Sequence, residues 1–247
     1  MTRPPILEVA NLSKTFTLHL LGAREIAALN DVSFALAEGE FLALTGRTGA
    51  GKSTLIKTLL HYNRPTGGSV RYRRADGTFL TLADLPVIDL IALLEGEIGY
   101  VSQHLSVVPR VGALDLMIES APQPHDDRAR AEAEALALFE RLCLPEALAP
   151  VYPVTFSGGE KQRFNLGLTL MRHPRLLILD EPTAALDPAT REVVIDLLAD
   201  LKAAGTSTIA VLHDRVAVDR LADREIEIND GRIVAETPIC RKEEAVL

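Results

Sequence analysis

Gly46-Arg47-Thr48-Gly49-Ala50-Gly51-Lys52-Ser53 sets three glycines ahead of a lysine and a hydroxyl, and the chemistry such a run performs is phosphate capture. The glycines let successive backbone N–H groups turn inward, and a helix starting at the end of the run adds partial positive charge. Lys52 then reaches β- and γ-phosphates and the Ser53 hydroxyl can ligate Mg²⁺. A second group, Leu176-Leu177-Ile178-Leu179-Asp180-Glu181, is an apolar run ending in two acids. Because side chains alternate along a strand, Asp180 can complete a Mg²⁺ shell while Glu181 faces an attacking water as general base. The third is Ser157-Gly158-Gly159-Glu160. Ser and Glu three apart before an apolar run form a helix capping box, but capping does not call for two glycines. Each weakens a helix by roughly 1 kcal/mol relative to alanine, a loss that makes sense if something must approach the backbone closely; a phosphate is such a group. The plainer alternatives are a glycine-rich turn, a solvated acidic loop and an ordinary cap.

Positioning these groups requires a strand over Phe41–Leu44 feeding a helix over Ser53–Leu60, and a buried parallel strand ending at Asp180. A helix is expected from about Pro188 to Lys202, with Val193, Val194, Leu197, Leu198 and Leu201 inward, followed by a strand over Thr208–Leu212 that ends before His213. Turns are expected at Glu38-Gly39 and at Pro65-Thr66-Gly67-Gly68. Arg71-Tyr72-Arg73-Arg74 reads as the solvated face of an edge hairpin closed by Asp76-Gly77. Residues 104 to about 165 read as a helical insert. In it Pro122-Gln123-Pro124-His125-Asp126-Asp127 breaks the chain before a helix over Arg128–Leu142, with Leu136, Phe139 and Leu142 on one face and Pro145 ending the run.

The order of the Gly46–Ser53 loop, Gln103, Phe156-Ser157-Gly158-Gly159-Glu160, Leu179-Asp180-Glu181-Pro182, Ala185-Leu186-Asp187 and His213 resembles that of ATP-binding cassette (ABC) ATPases over about residues 6 to 235. The resemblance implies an α/β P-loop NTPase with a RecA-like core (about 1–103 and 166–235), an antiparallel β layer, a helical subdomain (about 104–165) and a tail over 236–247, all in one ATPase domain. It implies ATP and Mg²⁺ as cofactors, and two cassettes facing head to tail so that each ATP lies between the P-loop of one and the signature helix of the other. Phe16 is similar to the aromatic that stacks on adenine, with a core phenylalanine as the alternative. Gly46 to Ser53 together with Thr54 would contact the nucleotide from one side, and Ser157, Gly158, Gly159, Glu160 and Asp187 from the other, Asp187 coupling the two sites. Gln103 resembles the glutamine that reaches Mg²⁺ and the attacking water, and His213 the switch histidine at the γ-phosphate. Two departures stand out: the fifth signature position, commonly Gln, is Glu160, and the usual Ala-Arg-Ala-Leu is replaced within Leu166-Gly167-Leu168-Thr169-Leu170.

With 247 residues, 47% of them hydrophobic and 24% charged, the chain can bury one sizeable core or a core with a subdomain. Its net charge of −8 argues against direct nucleic-acid binding, which usually needs a basic field. No run approaches the roughly 18 to 20 apolar residues that span a bilayer, and the start of the chain does not read as a signal peptide. Cys143 and Cys240 form no metal or disulfide pattern and suit a reducing compartment. The expected location is therefore cytoplasmic. The stretches Ser13–His19, Tyr100–Val111, Thr155–Asn165 and His213–Ala217 look like those of the PhnL-type ATP-binding proteins of the carbon-phosphorus lyase system. That likeness implies partnership with the soluble lyase core complex and with a second cassette, either a copy of this chain or a sister protein. The alternative is a nucleotide-binding subunit of an ABC transporter, of lipoprotein-release or small-molecule export type, docked on a membrane permease.

Overall fold

Three five-residue strands, Phe41–Thr45, Leu176–Asp180 and Ser207–Val211, are buried along nearly their whole length, as expected of parallel strands covered on both faces. In chain order the elements are β1 (Pro5–Leu18), β2 (Arg24–Ala37), β3 (Phe41–Thr45), α1 (Lys52–Leu59), β4 (Gly67–Arg73), β5 (Phe79–Thr81), α2 (Val87–Gly96), β6 (Ile98–Val101), α3 (Ala113–Ser120), α4 (Arg128–Arg141), α5 (Gly158–Leu170), β7 (Leu176–Asp180), α6 (Pro188–Ala203), β8 (Ser207–Val211), α7 (Arg215–Leu221), β9 (Arg224–Asn229) and β10 (Arg232–Pro238). This is a computed structural model that describes residues 3–18, 24–103, 110–122, 127–184 and 186–239. His19, the His104–Pro109 stretch after Gln103, Gln123–Asp126 of the expected chain break, Ala185, and the end of the tail with Cys240 lie outside the described residues. The chain divides into two compact units, Met1–Ile91 with Ser207–Leu247, and Ala92–Thr206.

In the first unit β3 runs parallel to both β8 and β9, and β10 pairs antiparallel with β9. A separate antiparallel sheet has the order β2-β1-β4-β5. Its two long strands carry register shifts around Val9 and Leu12, where Asn11 and Asp31 both adopt positive φ, a conformation these two residue types tolerate better than most. The Asn11 amide donates to the Asp31 carboxylate at 2.7 Å, and the Ser13 hydroxyl accepts from the Asp31 N–H at 3.1 Å. The bulge is thus closed by its own side chains.

The Arg71–Arg74 segment meets the expectation of a solvated edge hairpin only in part: Arg71 and Arg74 are exposed and β5 is the edge strand. The hairpin exists, but β4 lies between β1 and β5 and so is an inner strand. Tyr72 is fully buried, while the Arg73 guanidinium pairs with Glu38 at 2.6 Å and donates to the Pro5 carbonyl at 2.8 Å. The expected turn at Pro65–Gly68 is shorter as well, since β4 already begins at Gly67. A Cβ on Gly68 would lie 2.4 Å from the Asn11 carbonyl oxygen, so the close approach of β4 to the β1 bulge requires glycine there.

The second unit pairs β6 with β7 in parallel and packs α3, α4 and α5 around Met117, Ala135, Leu138, Phe139, Leu142 and Phe164. The Phe164 ring meets Phe156 and Phe139 edge-on, at 5.6 and 6.3 Å between centroids, a favoured aromatic geometry. On α4 the buried stripe is Ala131, Ala135, Leu138 and Phe139, continued by Leu142, while Leu136 is exposed. At 100° per residue Leu136 points about 120° from the centre of that stripe; two alanines, too small to register as core in the sequence, do the packing. α4 stops before Cys143, which has φ 49, and Pro145 follows the end of the helix. On α6 the inward set includes Ile195 beside Val194, Leu197 and Leu198, with Val193 and Leu201 only half-buried.

Candidate functional site

In the first unit the chain leaves β3 at Thr45, forms a tight loop over Gly46–Gly51 and enters α1 at Lys52. Gly46 has φ 129, and a Cβ there would lie 2.1 Å from the Ile228 carbonyl oxygen of β9, so no other residue fits. Gly51, with φ 109, precedes the helix without any side-chain cap, which leaves the first N–H groups of α1 to be satisfied by something other than a capping side chain. The Ala50 N–H closes the loop onto Arg47 at 3.1 Å, and the Gly231 N–H donates to Ala50 at 2.9 Å. Lys52 is buried, and its Nζ donates to the carbonyls of Gly46 at 2.8 Å and Arg47 at 2.9 Å. The loop therefore wraps around an ammonium group. By contrast, a Cβ on Gly49 would meet nothing within 4 Å. A buried cation, inward backbone and an open rim make a donor set that fits a phosphate chain.

The other expected residues of this unit are placed as follows. Thr48, Gly49 and Ser53 are exposed, Ala50 is buried and Thr54 is half-buried; the Thr54 carbonyl accepts from the Thr58 hydroxyl at 2.7 Å. Arg47 is exposed and donates to Asn229 at 2.8 Å. Half-buried Phe16 sits on β1 with the Lys14 ammonium 4.8 Å from its ring centre. His213 is exposed beyond β8, one residue before Asp214, whose side chain caps α7.

In the second unit β7 delivers Asp180 buried, and the next residue, Glu181, turns sharply away with φ 58. A left-handed glutamate costs roughly 1 to 2 kcal/mol and persists where the surroundings hold it. Gln103, exposed beyond β6, donates from Nε2 to the Glu181 carboxylate at 3.4 Å. The two residues expected to share the attacking water are thus brought together.

Ser157 caps α5 in the reciprocal way the sequence indicates. The Ser157 N–H donates to the Glu160 carboxylate at 2.8 Å and the Ser157 Oγ accepts from the Glu160 N–H at 3.4 Å. Ser157 and Gly158 are exposed, and a Cβ on Gly158 would meet nothing within 4 Å among the described residues, so none of them fills the space beside that glycine. The Ser157 side chain, then its backbone, hold the Glu160 carboxyl below the usual carboxylate range. A lowered folded-state value means that this contribution is present above the unfolded value, about 4.3, and is lost as pH falls through the lowered one. Acidification from pH 7 to pH 3 is therefore expected to lower the thermal unfolding midpoint of the parent more than that of Glu160→Gln, whose amide caps without titrating; equal acid sensitivity would contradict the cap's charge dependence. Asp187 caps α6, accepting from the N–H groups of Ala189 and Thr190 at 3.1 Å each. Its carboxyl is also held low, first by the Thr190 hydroxyl.

Two residues that motif reading passed over belong to the same cluster. Gln162 on α5 donates to the Glu181 backbone carbonyl at 3.3 Å, and Asn165 to the Ser102 carbonyl at 2.9 Å. The signal in the sequence is polar Gln162, Asn165 and Thr169 at helical spacing inside an otherwise apolar run.

The family model described as "ABC transporter" matches residues 29–184, a span that takes in both the P-loop and the acids at the end of β7. The chain belongs to the ABC transporter ATPase family. Members of this family bind ATP with Mg²⁺ and hydrolyse it. This cassette is 36% identical over 236 residues to the macrolide export ATP-binding/permease protein MacB of Sodalis glossinidius, a match covering 94% of the chain and 34% of that protein. It is 34% identical over 242 residues to the methionine import ATP-binding protein MetN of Brucella abortus, covering 96% and 61%. The chain thus spans about a third of one relative and less than two thirds of the other. In structure it is similar to the dimeric post-hydrolysis state of the ATP-binding cassette MJ0796 bound to ADP and Pi, with TM-score 0.82 and 28% identity over 95% of this chain and 99% of that one. The P-loop NTPase cassette fold expected from the motifs is therefore the fold observed.

Proposed function

We propose that this cassette is the ATP-hydrolysing part of an ABC transporter, acting as two copies that close on ATP and reopen after hydrolysis at the cytoplasmic face of a permease. The observation that carries this reading is kinship with proteins named for macrolide export and methionine import. These names turn the balance away from the carbon-phosphorus lyase complex and toward the transport alternative. Among the described residues no helix is long and apolar enough to cross a membrane, so in this reading the membrane contact comes through other polypeptide.

Lys52 and the loop amides take the β- and γ-phosphates, Ser53 and Asp180 supply oxygens to Mg²⁺, and Phe16 offers a ring to adenine. Bound with the nucleotide, Mg²⁺ supplies positive charge that offsets what develops on the phosphate oxygens. Glu181 takes a proton from the attacking water, with Gln103 orienting that water and His213 at the γ-phosphate. Ser157 to Glu160 face the γ-phosphate held by the other copy; the exposed hydroxyl and the clear space at Gly158 support that role. Asp187 lies at the seam between the two sites. Hydrolysis removes the γ-phosphate contacts and releases the copies, so a partner that prefers the closed form draws its work from that difference in affinity.

The test is affinity isolation of Glu181→Gln protein from cells in ATP and Mg²⁺, with identification of what remains bound. An integral membrane permease is the expected partner. Recovery of a soluble carbon-phosphorus lyase core instead would overturn the transport reading.

A further inference from the structure

The signature helix α5 ends its contribution to phosphate binding at its first turn, yet one face of it carries a buried polar row deeper in the unit. Gln162, Asn165 and Thr169 all lie more than nine-tenths buried, and their i, i+3, i+7 spacing puts them within about 60° of each other around the helix. Leu166 and Leu170, which adjoin this row along one side, are buried apolar residues, so the row is polar in a place where packing alone would favour carbon. Each member meets a backbone carbonyl. The Gln162 amide donates to Glu181 at 3.3 Å and the Asn165 amide to Ser102 at 2.9 Å, while the Thr169 hydroxyl reaches Tyr100 at 3.4 Å and also the Asn165 carbonyl at 2.9 Å. Buried side-chain amides are retained where their hydrogen bonds define one arrangement, since leaving them unsatisfied is costly.

The carbonyls chosen are informative. Ser102 is the residue immediately before Gln103, and Glu181 is the residue whose backbone is left-handed. The Gln103 and Glu181 side chains meet at 3.4 Å. One helix therefore holds the main chain on both sides of this pair, through two amides one turn apart. We propose that Gln162 and Asn165 are positioning residues for hydrolysis, Gln162 fixing the strained Glu181 peptide and Asn165 fixing the approach of Gln103, so that the helix carrying the signature glycines also sets the geometry of the water-activating pair. The proposal rests on the reading of Glu181 as general base.

Its energetic logic follows from the placement. A strained peptide with one carbonyl anchor lost relaxes toward ordinary φ, which swings the Glu181 carboxylate, and a displacement of about 1 Å at a reacting group can lower a rate by around 10²-fold. Substrate capture by the P-loop does not depend on that peptide. The signature of the effect is thus a fall in kcat with KM for ATP kept.

The experiment compares ATP hydrolysis by the full chain with that of Gln162→Leu, Gln162→Glu and Asn165→Ala, beside Glu181→Gln, with equilibrium ATP affinity measured for each. Gln162→Leu is expected to lower kcat about 10-fold to 100-fold and to leave ATP affinity within about 2-fold. Asn165→Ala puts a strong helix former at its position and is expected to show the same split. Gln162→Glu supplies a reading that packing cannot imitate. Its carboxylate can only accept, and only its protonated form donates to the Glu181 carbonyl, so its rate relative to the parent is expected to rise as pH is lowered from 8 to 6, burial having raised its own pKa. Unchanged kcat in Gln162→Leu and Asn165→Ala, with Glu181→Gln strongly impaired, would overturn the proposal and leave the base in place. A Gln162→Glu rate ratio that is flat with pH would also overturn it. Unimpaired Glu181→Gln would instead remove the base reading beneath it.

Discussion

Glu181→Gln is expected to hold ATP as the parent does and to hydrolyse it roughly 10²-fold to 10⁴-fold more slowly, the usual contribution of a general base. The substitution keeps size and hydrogen-bonding reach at the end of β7 and removes the proton acceptor. Gln103 Nε2 already lies 3.4 Å from the Glu181 carboxylate, a long contact of the kind that tightens when the reacting groups are in place. The adjacent Asp180 is buried at the strand end and is untouched, so binding and chemistry should separate. Phosphate release under single-turnover conditions, with nucleotide affinity measured independently, checks the expectation; undiminished release would remove Glu181 from the role.

Lys52→Met should act at the opposite step. Methionine preserves the apolar stem that packs at the start of α1 and deletes the ammonium that bridges the Gly46 and Arg47 carbonyls. Removing one partner of a buried charged contact costs about 2 to 5 kcal/mol, so ATP affinity is expected to drop by roughly 10²-fold or more. The loop also loses the group it folds around, which adds to the effect. Calorimetric titration with ATP and Mg²⁺ measures it, and an affinity within about 3-fold of the parent would show that Lys52 does not meet the nucleotide.

The parts of the site that could be read in advance are those where a local pattern carries the physics. Gly46–Ser53 needs glycines, a lysine and a hydroxyl within eight positions, and the structure places that run between β3 and α1. Ser157 and Glu160 satisfy each other across one helical turn, so their spacing alone announces the cap. Leu176–Leu179 is apolar throughout because both faces of the strand are covered. What escaped reading depends on neighbours distant in sequence. Tyr72 is buried because alternation along β4 turns it to the face opposite Arg71 and Arg73, although its arginine neighbours suggest solvent. Leu136 is exposed because two alanines occupy the packed face of α4. The left-handed backbone of Glu181 has no signature in a residue type that usually avoids it, and Gln162 and Asn165 gain meaning only from the carbonyls they meet. Their polarity within an apolar helix was visible; its targets were not.

The two-copy site is the centre of this account, since the P-loop and the signature helix are assigned to opposite sides of each ATP. Sedimentation of purified Glu181→Gln with Mg²⁺, with and without ATP, tests it most directly. ATP should shift the protein from its chain mass of 26.8 kDa to twice that value, and Ser157→Arg, which fills the space kept clear at the start of α5, should block the shift while ATP still binds. A protein that binds ATP and remains at 26.8 kDa would contradict the arrangement.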